Sequence, residues 1–272
     1  MNKLLVFIFF PILFFVSCAK EDYDFTGEIE EDTAKEVNSA ESFFKMIYQI
    51  SRQETEYAEK EKEFNLYKTG IISIIDSCAH IEYHADTIGQ YISSLTITYP
   101  DTACYSSGKV KKGKLKVFLT GKLNSIGTIM TIIPENFYVN SKKVEGTIKA
   151  TNLTFTSDSI LLVENEIQNG KIWMTSSKFF TWDSEGVIEL DFLNDVLFCT
   201  NESNAINQNG LGYTVSTIDR LKSDFSCDYF QSGELQITAN WGFTQKINYG
   251  NGACDDKAHL WEGGKSIEIL LD

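Results

Sequence analysis

Residues 232–243 read SGELQITANWGF. Leu235, Ile237, Ala239, Trp241 and Phe243 alternate with Gln236, Thr238, Asn240 and Gly242. A period of two, written in β-branched and aromatic residues, marks a strand with one face buried and one face wet. The same alternation recurs at Leu115, Val117 and Leu119, and again at Ile188, Leu190 and Phe192. Between such stretches stand Ser107-Gly108, Asn169-Gly170, Asn209-Gly210, Ser232-Gly233 and Gly263-Gly264. Pairs of this kind close hairpins, because their backbones reach the positive φ of primed turns. The expected fold is therefore all-β: an antiparallel meander over residues 66–272, closed as a barrel or folded as a sandwich. Helices do not alternate with the strands, and no strong nucleotide-binding loop is present, which excludes a doubly wound fold.

Upstream of the strands the texture is helical. Thr33-Ala34-Lys35-Glu36 has the form of a capping box, in which threonine and glutamate each satisfy a free amide of the first turn. Val37, Ala40, Phe44 and Ile47 follow at helical spacing, with Phe43 and Ile50 widening the stripe. A helix over about 34–50 is expected, packed through that stripe on the main domain or, alternatively, offering it to a partner, within a helical segment spanning 33–65. Residues 53–63 hold five glutamates and read as a solvated extension or a linker, with Glu56 and Lys60 placed to pair at i,i+4.

The extreme N-terminus carries an address. Lys3 precedes an apolar run from Leu4 to Val16, then Ser17 and Cys18. The run spans roughly 20 Å as a helix, short of the about 30 Å of a bilayer core, and Pro11 interrupts it. A basic head, an apolar middle and a small residue before the cut describe a secretory leader. Phe15-Val16-Ser17-Cys18 resembles a lipoprotein signal, with phenylalanine where leucine is usual. The expectation is cleavage after residue 17 and lipidation of Cys18, which anchors the chain to a membrane without a spanning helix. Residues 18–32 then form an acidic tether. Its start, Ala19-Lys20-Glu21-Asp22, resembles the export tag of surface lipoproteins of Bacteroidota-type bacteria. The expected place is the outer membrane, exposed at the cell surface, with a periplasm-facing position as the alternative.

Formal charge is −14 over 272 residues. So acidic a chain is repelled by phosphate-rich surfaces, which argues against a nucleic-acid partner. Six cysteines are present. With Cys18 committed to lipid, five remain, so at most two disulfides form and one thiol stays free. No CxxC pair suggests a structural zinc site.

Four segments carry a family resemblance. They are Cys104 with Ser107-Gly108-Lys109-Val110-Lys111-Lys112-Gly113-Lys114-Leu115; Phe137-Tyr138-Val139-Asn140 with Lys143-Val144-Glu145-Gly146-Thr147 and Thr151-Asn152; Cys227 with Gly233-Glu234-Leu235; and Asn248-Tyr249-Gly250-Asn251-Gly252-Ala253-Cys254-Asp255. From about Thr96 onward, roughly two-thirds of the chain, the sequence resembles an uncharacterised family of Bacteroidota-type lipoproteins. Asn248 departs from the aspartate usual at that position. The resemblance implies a β-rich envelope lipoprotein and brings no activity with it.

Site candidates are few. Cys227 and Cys254 are expected to bridge and staple a hairpin, with the pairing of Cys78, Cys104 and Cys199 left open. Asn248, Asn251, Asp255 and Asp256 offer oxygens for calcium, but turn chemistry accounts for them as well. Cys78, His80, Glu82 and His84 alternate and on a strand would share a face suited to a transition metal, or be incidental polar residues. Neither set is enough to expect a metal or cofactor. Lys109, Lys111, Lys112, Lys114 and Lys116 form the one basic cluster, with Lys112, Lys114 and Lys116 on one face, either a solvated strand face that discourages edge pairing or a patch for anionic glycolipid or a partner's acids. Trp173, Trp182, Trp241 and Trp261 either fill the core or stack on sugars. Asp183, Glu185, Glu189 and Asp191 supply carboxylates with no visible partner across a cleft. No catalytic set emerges. The functional expectation is a membrane-anchored binding or structural surface protein, its partners the membrane and an envelope protein or glycan. The alternatives are a periplasmic carrier of lipid or another hydrophobic ligand, and a glycan-processing enzyme.

Overall fold

A computed structural model of the protein describes residues 31–61, 67–106 and 108–271. The leader, Cys18 and most of the acidic tether lie outside the described residues. The first element is a helix, α1 (Glu31–Glu61). Fourteen strands follow: β1 (Tyr67–Ile72), β2 (His80–Ala85), β3 (Ile92–Ser106), β4 (Lys109–Leu119), β5 (Ile129–Val139), β6 (Lys142–Ser157) and β7 (Ile160–Trp173) make the first half. The second half is β8 (Phe179–Asp191), β9 (Val196–Ile206), β10 (Gly212–Asp224), β11 (Ser232–Ala239), β12 (Thr244–Asn251), β13 (Lys257–Glu262) and β14 (Lys265–Leu270). Each strand pairs antiparallel with its neighbour in sequence, in one continuous meander from β1 to β14. Among the described residues no ladder joins β1 to β14, so the sheet is not closed into a barrel. It is an open, sandwich-like wrap.

What it wraps is α1. Phe43, Phe44, Met46, Ile47, Tyr48 and Ile50 point in successive directions around the helix, yet each is buried. The expected stripe is thus one side of a helix enclosed on all sides. Its polar positions are small where strands come close, as at Ser39, Ser42, Ser51 and Thr55. The helix is longer at both ends than the apolar spacing implies. Thr33 lies within it rather than capping it, and its hydroxyl meets Asn207 at 3.4 Å. Residues 53–61, expected to be solvated or a linker, continue the helix, with Glu54, Thr55 and Ala58 buried. Loops of the sheet supply the polar partners that a glutamate-rich sequence did not reveal. Glu56 and Lys60 do pair, at 3.2 Å.

A sheet that folds around a helix must bend, and the bends are bulges. Register slips occur between Tyr99 and Cys104 on β3, Lys112 and Lys114 on β4, Ile132 and Phe137 on β5, and Ile167 and Gly170 on β7. An extra residue on one strand sharpens the local twist and turns the strand. Two glycines make this possible. Gly113 has φ +96°, and a Cβ there would collide with the carbonyl oxygen of Asn136. At Gly170 a Cβ would run into the carbonyl of Trp182 and sit 3.1 Å from Phe44 Cζ on α1. Asn169-Gly170 and Ser232-Gly233, expected as hairpin turns, are therefore bulges within β7 and at the start of β11. Asn209-Gly210 and Gly263-Gly264 do lie between strands.

The alternation that opened the sequence reading holds to Ala239 and stops there. Leu235, Ile237 and Ala239 face the core of β11. Asn240 to Gly242 then turn, closed by the Ala239 amide on the Phe243 carbonyl at 2.8 Å, and Trp241 is left half-exposed.

Candidate functional site

The residues that converge come from segments with no motif in common. β4 carries two lysines inward, Lys109 and Lys111, at 1% and 2% exposure. Alternation along β4 puts them on the same side as Leu115 and Val117, while Lys112, Lys114 and Lys116 turn outward. The basic cluster therefore divides between the two faces. A buried ammonium must be paired to be tolerated. Lys111 Nζ lies 2.9 and 3.0 Å from the two carboxylate oxygens of Asp76, a residue wholly buried in the β1–β2 connection. Tyr99 of β3 donates its hydroxyl to Asp76 at 2.7 Å, which leaves the carboxylate well supplied.

The β1–β2 connection is held from two directions. Cys78 is bonded to Cys104 of β3. Glu54 of α1 accepts from the Ser73 hydroxyl and from the amides of Ile75 (3.0 Å) and Ile74 (3.4 Å). Burial raises the Glu54 pKa, against the pull of those donors. Facing it is the β10–β11 loop, which the second disulfide, Cys227–Cys254, holds to the segment after β12. Asp228 of that loop looks toward Lys109, Lys111 and Lys45. Burial raises its pKa although all three cations pull the other way. No hydrogen bond reaches its carboxylate among the described residues. Lys45, from the middle of α1, donates to Ser223 Oγ at 2.8 Å and to the Cys227 carbonyl at 3.2 Å, and lies 4.6 Å from the Phe230 ring centre.

Between the two stapled loops opens a cleft of about 640 Å³. One wall is α1, with Met46, Gln49, Ile50 and Gln53; Ile74 and Ile75 stand beside Lys111. The other wall is the β8–β9 turn and the β10–β11 loop, with Asn194, Asp195, Asp224, Phe225, Ser226 and Asp228. Gln49 Nε2 is turned away from the open space, enclosed, and has no hydrogen-bond partner among the described residues. No family model, curated protein or solved structure matches this chain.

A second cluster lies deeper along α1. Glu41 accepts from Asn201 Nδ2 at 2.6 Å, and burial pushes its pKa up to about 7. Burial pushes Lys45 down to about 7 and the Cys199 thiol up to about 12. A thiol so raised is a poor nucleophile. The sign of the pH effect follows. Glu41 holds its proton more tightly in the fold than in the unfolded chain. Its contribution is complete below about 4.5 and is lost as pH rises through about 7. Lys45 prefers to be neutral in the fold, so its contribution is complete above 10.5 and is lost as pH falls through about 7. Stability should dip near neutrality. Glu41→Gln is expected to flatten the fall between pH 4.5 and 7 in urea titrations; an unchanged slope would show that Glu41 does not cause it.

The sequence-derived candidates fall elsewhere. Cys227 and Cys254 are bridged, and Cys78 pairs with Cys104, leaving Cys199 as the free cysteine among the described residues. Cys78 is thus no metal ligand. His80, Glu82 and His84 do share the outer face of β2, where His84 stacks on Tyr67 at 4.4 Å. Asn248 Oδ1 accepts from the Gly250 amide, and Asp255 from the Lys257 amide, as in tight turns. No group of three metal-ligating side chains occurs among the described residues. Trp182 is buried, Trp173 donates to Glu145 at 2.8 Å, and Trp241 and Trp261 are half-exposed. Asp183 accepts from the Asn169 amide at 2.6 Å, supporting the β7 bulge. The sequence reading missed Asp76 and Asp228. Their one signal was adjacency to cysteines, Asp76 two residues before Cys78 and Asp228 just after Cys227.

Proposed function

We propose that the protein is a lipid-anchored envelope protein, processed before Cys18 and held at the outer membrane with its body at the cell surface, that binds a small polar ligand in the cleft beside Lys111. The periplasm-facing position is the alternative. The anchor rests on the leader sequence alone. Two disulfides agree with an oxidising compartment. The binding role rests chiefly on one observation: a cleft of about 640 Å³, walled by two disulfide-held loops. Its volume lies within the roughly 300–1,000 Å³ of small-molecule sites. A hydrophobic carrier is less well supported. It needs an open apolar lumen, and α1 occupies the inside of the sheet.

Two measurements test this. Labelled fatty acid should be incorporated by the wild type and not by Cys18→Ala, which should leave the membrane fraction; an unlabelled wild type would sink the anchor. Ile74 is 53% exposed at the rim of the cleft, so Ile74→Trp should fill the opening without disturbing the core. Protein isolated from the envelope should retain a small-molecule adduct in native mass spectrometry, and Ile74→Trp should lose it. An adduct equally present in both would place binding outside the cleft.

A further inference from the structure

The end of the molecule where α1 begins differs from the rest of its surface. Thr33 meets Asn207 of the β9–β10 turn at 3.4 Å, and Glu36 accepts the Gln208 amide at 3.3 Å. The β11–β12 turn stands beside that one, because the Asn240 amide donates to the Gly212 carbonyl at 3.1 Å. Trp241, at the tip of the second turn, is 47% exposed, and Ile206, at the end of β9, is 48% exposed. Leu211 and Phe243 line the same recess as Thr33 and Trp241.

Charge is absent from both turns. Residues 203–218 and 235–245 contain no Asp, Glu, Lys, Arg or His, in a chain where 23% of residues are charged. The outer face of the neighbouring strands is the opposite case: Glu166, Glu185 and Glu202 stand side by side across β7, β8 and β9. On α1, Glu31 and Lys35 neutralise each other at 2.6 Å, which leaves Asp32 as the exposed charge of its first turn. A tryptophan, an isoleucine and uncharged amide-bearing turns suit the headgroup level of a bilayer, where indole rings settle and from which unpaired charges are kept out.

The length of chain that leads to this end decides what covers it. From Cys18 to Glu31 the chain reaches at most about 45 Å fully drawn out. The helix α1 is itself about 46 Å long. A body tethered at Cys18 can lay the start of α1 on a bilayer with chain to spare. Setting the far end of α1 there would lift Glu31 by the length of the helix and use the whole reach.

Resting on the reading of Cys18 as a lipid anchor, we propose that the β9–β10 and β11–β12 turns form a membrane-docking face, with Trp241 and Ile206 at headgroup level. The anchor supplies the affinity and the face supplies the orientation. Two exposed apolar side chains are too few to hold a protein on a bilayer. Once tethering has concentrated the body near lipid, they decide which side meets it.

The test uses the mature protein carrying its own lipid, reconstituted into phosphatidylcholine vesicles with bromine on the acyl chains close to the headgroup, which quenches tryptophan by contact. Wild-type fluorescence should be quenched relative to vesicles without bromine. Trp241→Phe should sediment with the vesicles as before and lose most of that quenching. Trp261 is equally exposed, at 46%, but has Lys246 of the next strand opposite it, so Trp261→Phe should keep most of the quenching. A vesicle-bound wild type without quenching, or equal losses in the two variants, would overturn the docking face and leave the anchor standing. Mass spectrometry of the same preparation reads the anchor directly. A chain without acyl groups on Cys18 would overturn the anchor, and the face with it.

Discussion

Replacing Cys78, Cys104, Cys227 and Cys254 with alanine is expected to lower stability by about 7 kcal/mol, against the roughly 5–15 kcal/mol that holds a typical domain folded. The bridges span 26 and 27 residues. Loop-closure entropy assigns each about 3.5 kcal/mol, and the two close different loops, so the losses should nearly add. Each pair alone should shift the urea midpoint by roughly half the total. The bridges also fix both sides of the cleft, so either pair removed alone should weaken the proposed ligand binding even where the protein remains folded. Equilibrium unfolding under oxidising conditions measures the first effect. A combined loss below about 2 kcal/mol would mean that the loops are held by packing and not by the bridges.

Lys111→Met is the second large effect, expected to cost about 3–5 kcal/mol, because it leaves the Asp76 carboxylate buried with only the Tyr99 hydroxyl and no cation. The double variant Lys111→Met with Asp76→Asn should recover much of that loss, since the charge to be compensated has gone with its partner. Lys114→Met, three residues along the same strand but exposed, should change stability by no more than about 0.5 kcal/mol. Thermal or urea unfolding of the three variants is sufficient. Equal effects at Lys111 and Lys114 would refute the pairing as the source of stability.

Much of the fold was legible because it is local. Alternation at Leu115, Val117 and Leu119 and at Leu235 and Ile237 depends only on the pleat, and every one of those residues is buried. The position of Thr33 inside the helix and the full length of α1 were not legible, because burial of Glu54 and Thr33 depends on loops from residues 73–75 and 207, far away in sequence. Whether Asn-Gly turns or bulges is likewise set by what holds it: the Asn169 amide is held by Asp183 of the neighbouring strand, and the Asn209 amide by Asn207 of its own turn. The site was the least legible part. Lys109 and Lys111 look like two more members of a lysine run until one counts which side of β4 they occupy. Asp76, Asp228 and Gln49 lie in no pattern, and only the folding of two distant loops over α1 brings them together.

The enclosure of α1 also has a consequence in time. Lys45 contacts Ser223, 178 residues later, and Glu36 receives the amide of Gln208, 172 residues later. The meander itself is built from neighbours and each hairpin closes a short loop. The helix is the opposite, made first and seated last, because its walls include the strands that leave the ribosome late. Contacts so distant in sequence slow folding. Closure of the sheet over α1 should therefore limit the rate, and until it occurs the apolar sides of Phe43, Phe44 and Ile47 stand open. Such exposed surface is the kind that holding chaperones shield, so α1, rather than any strand, should be the segment most dependent on their help.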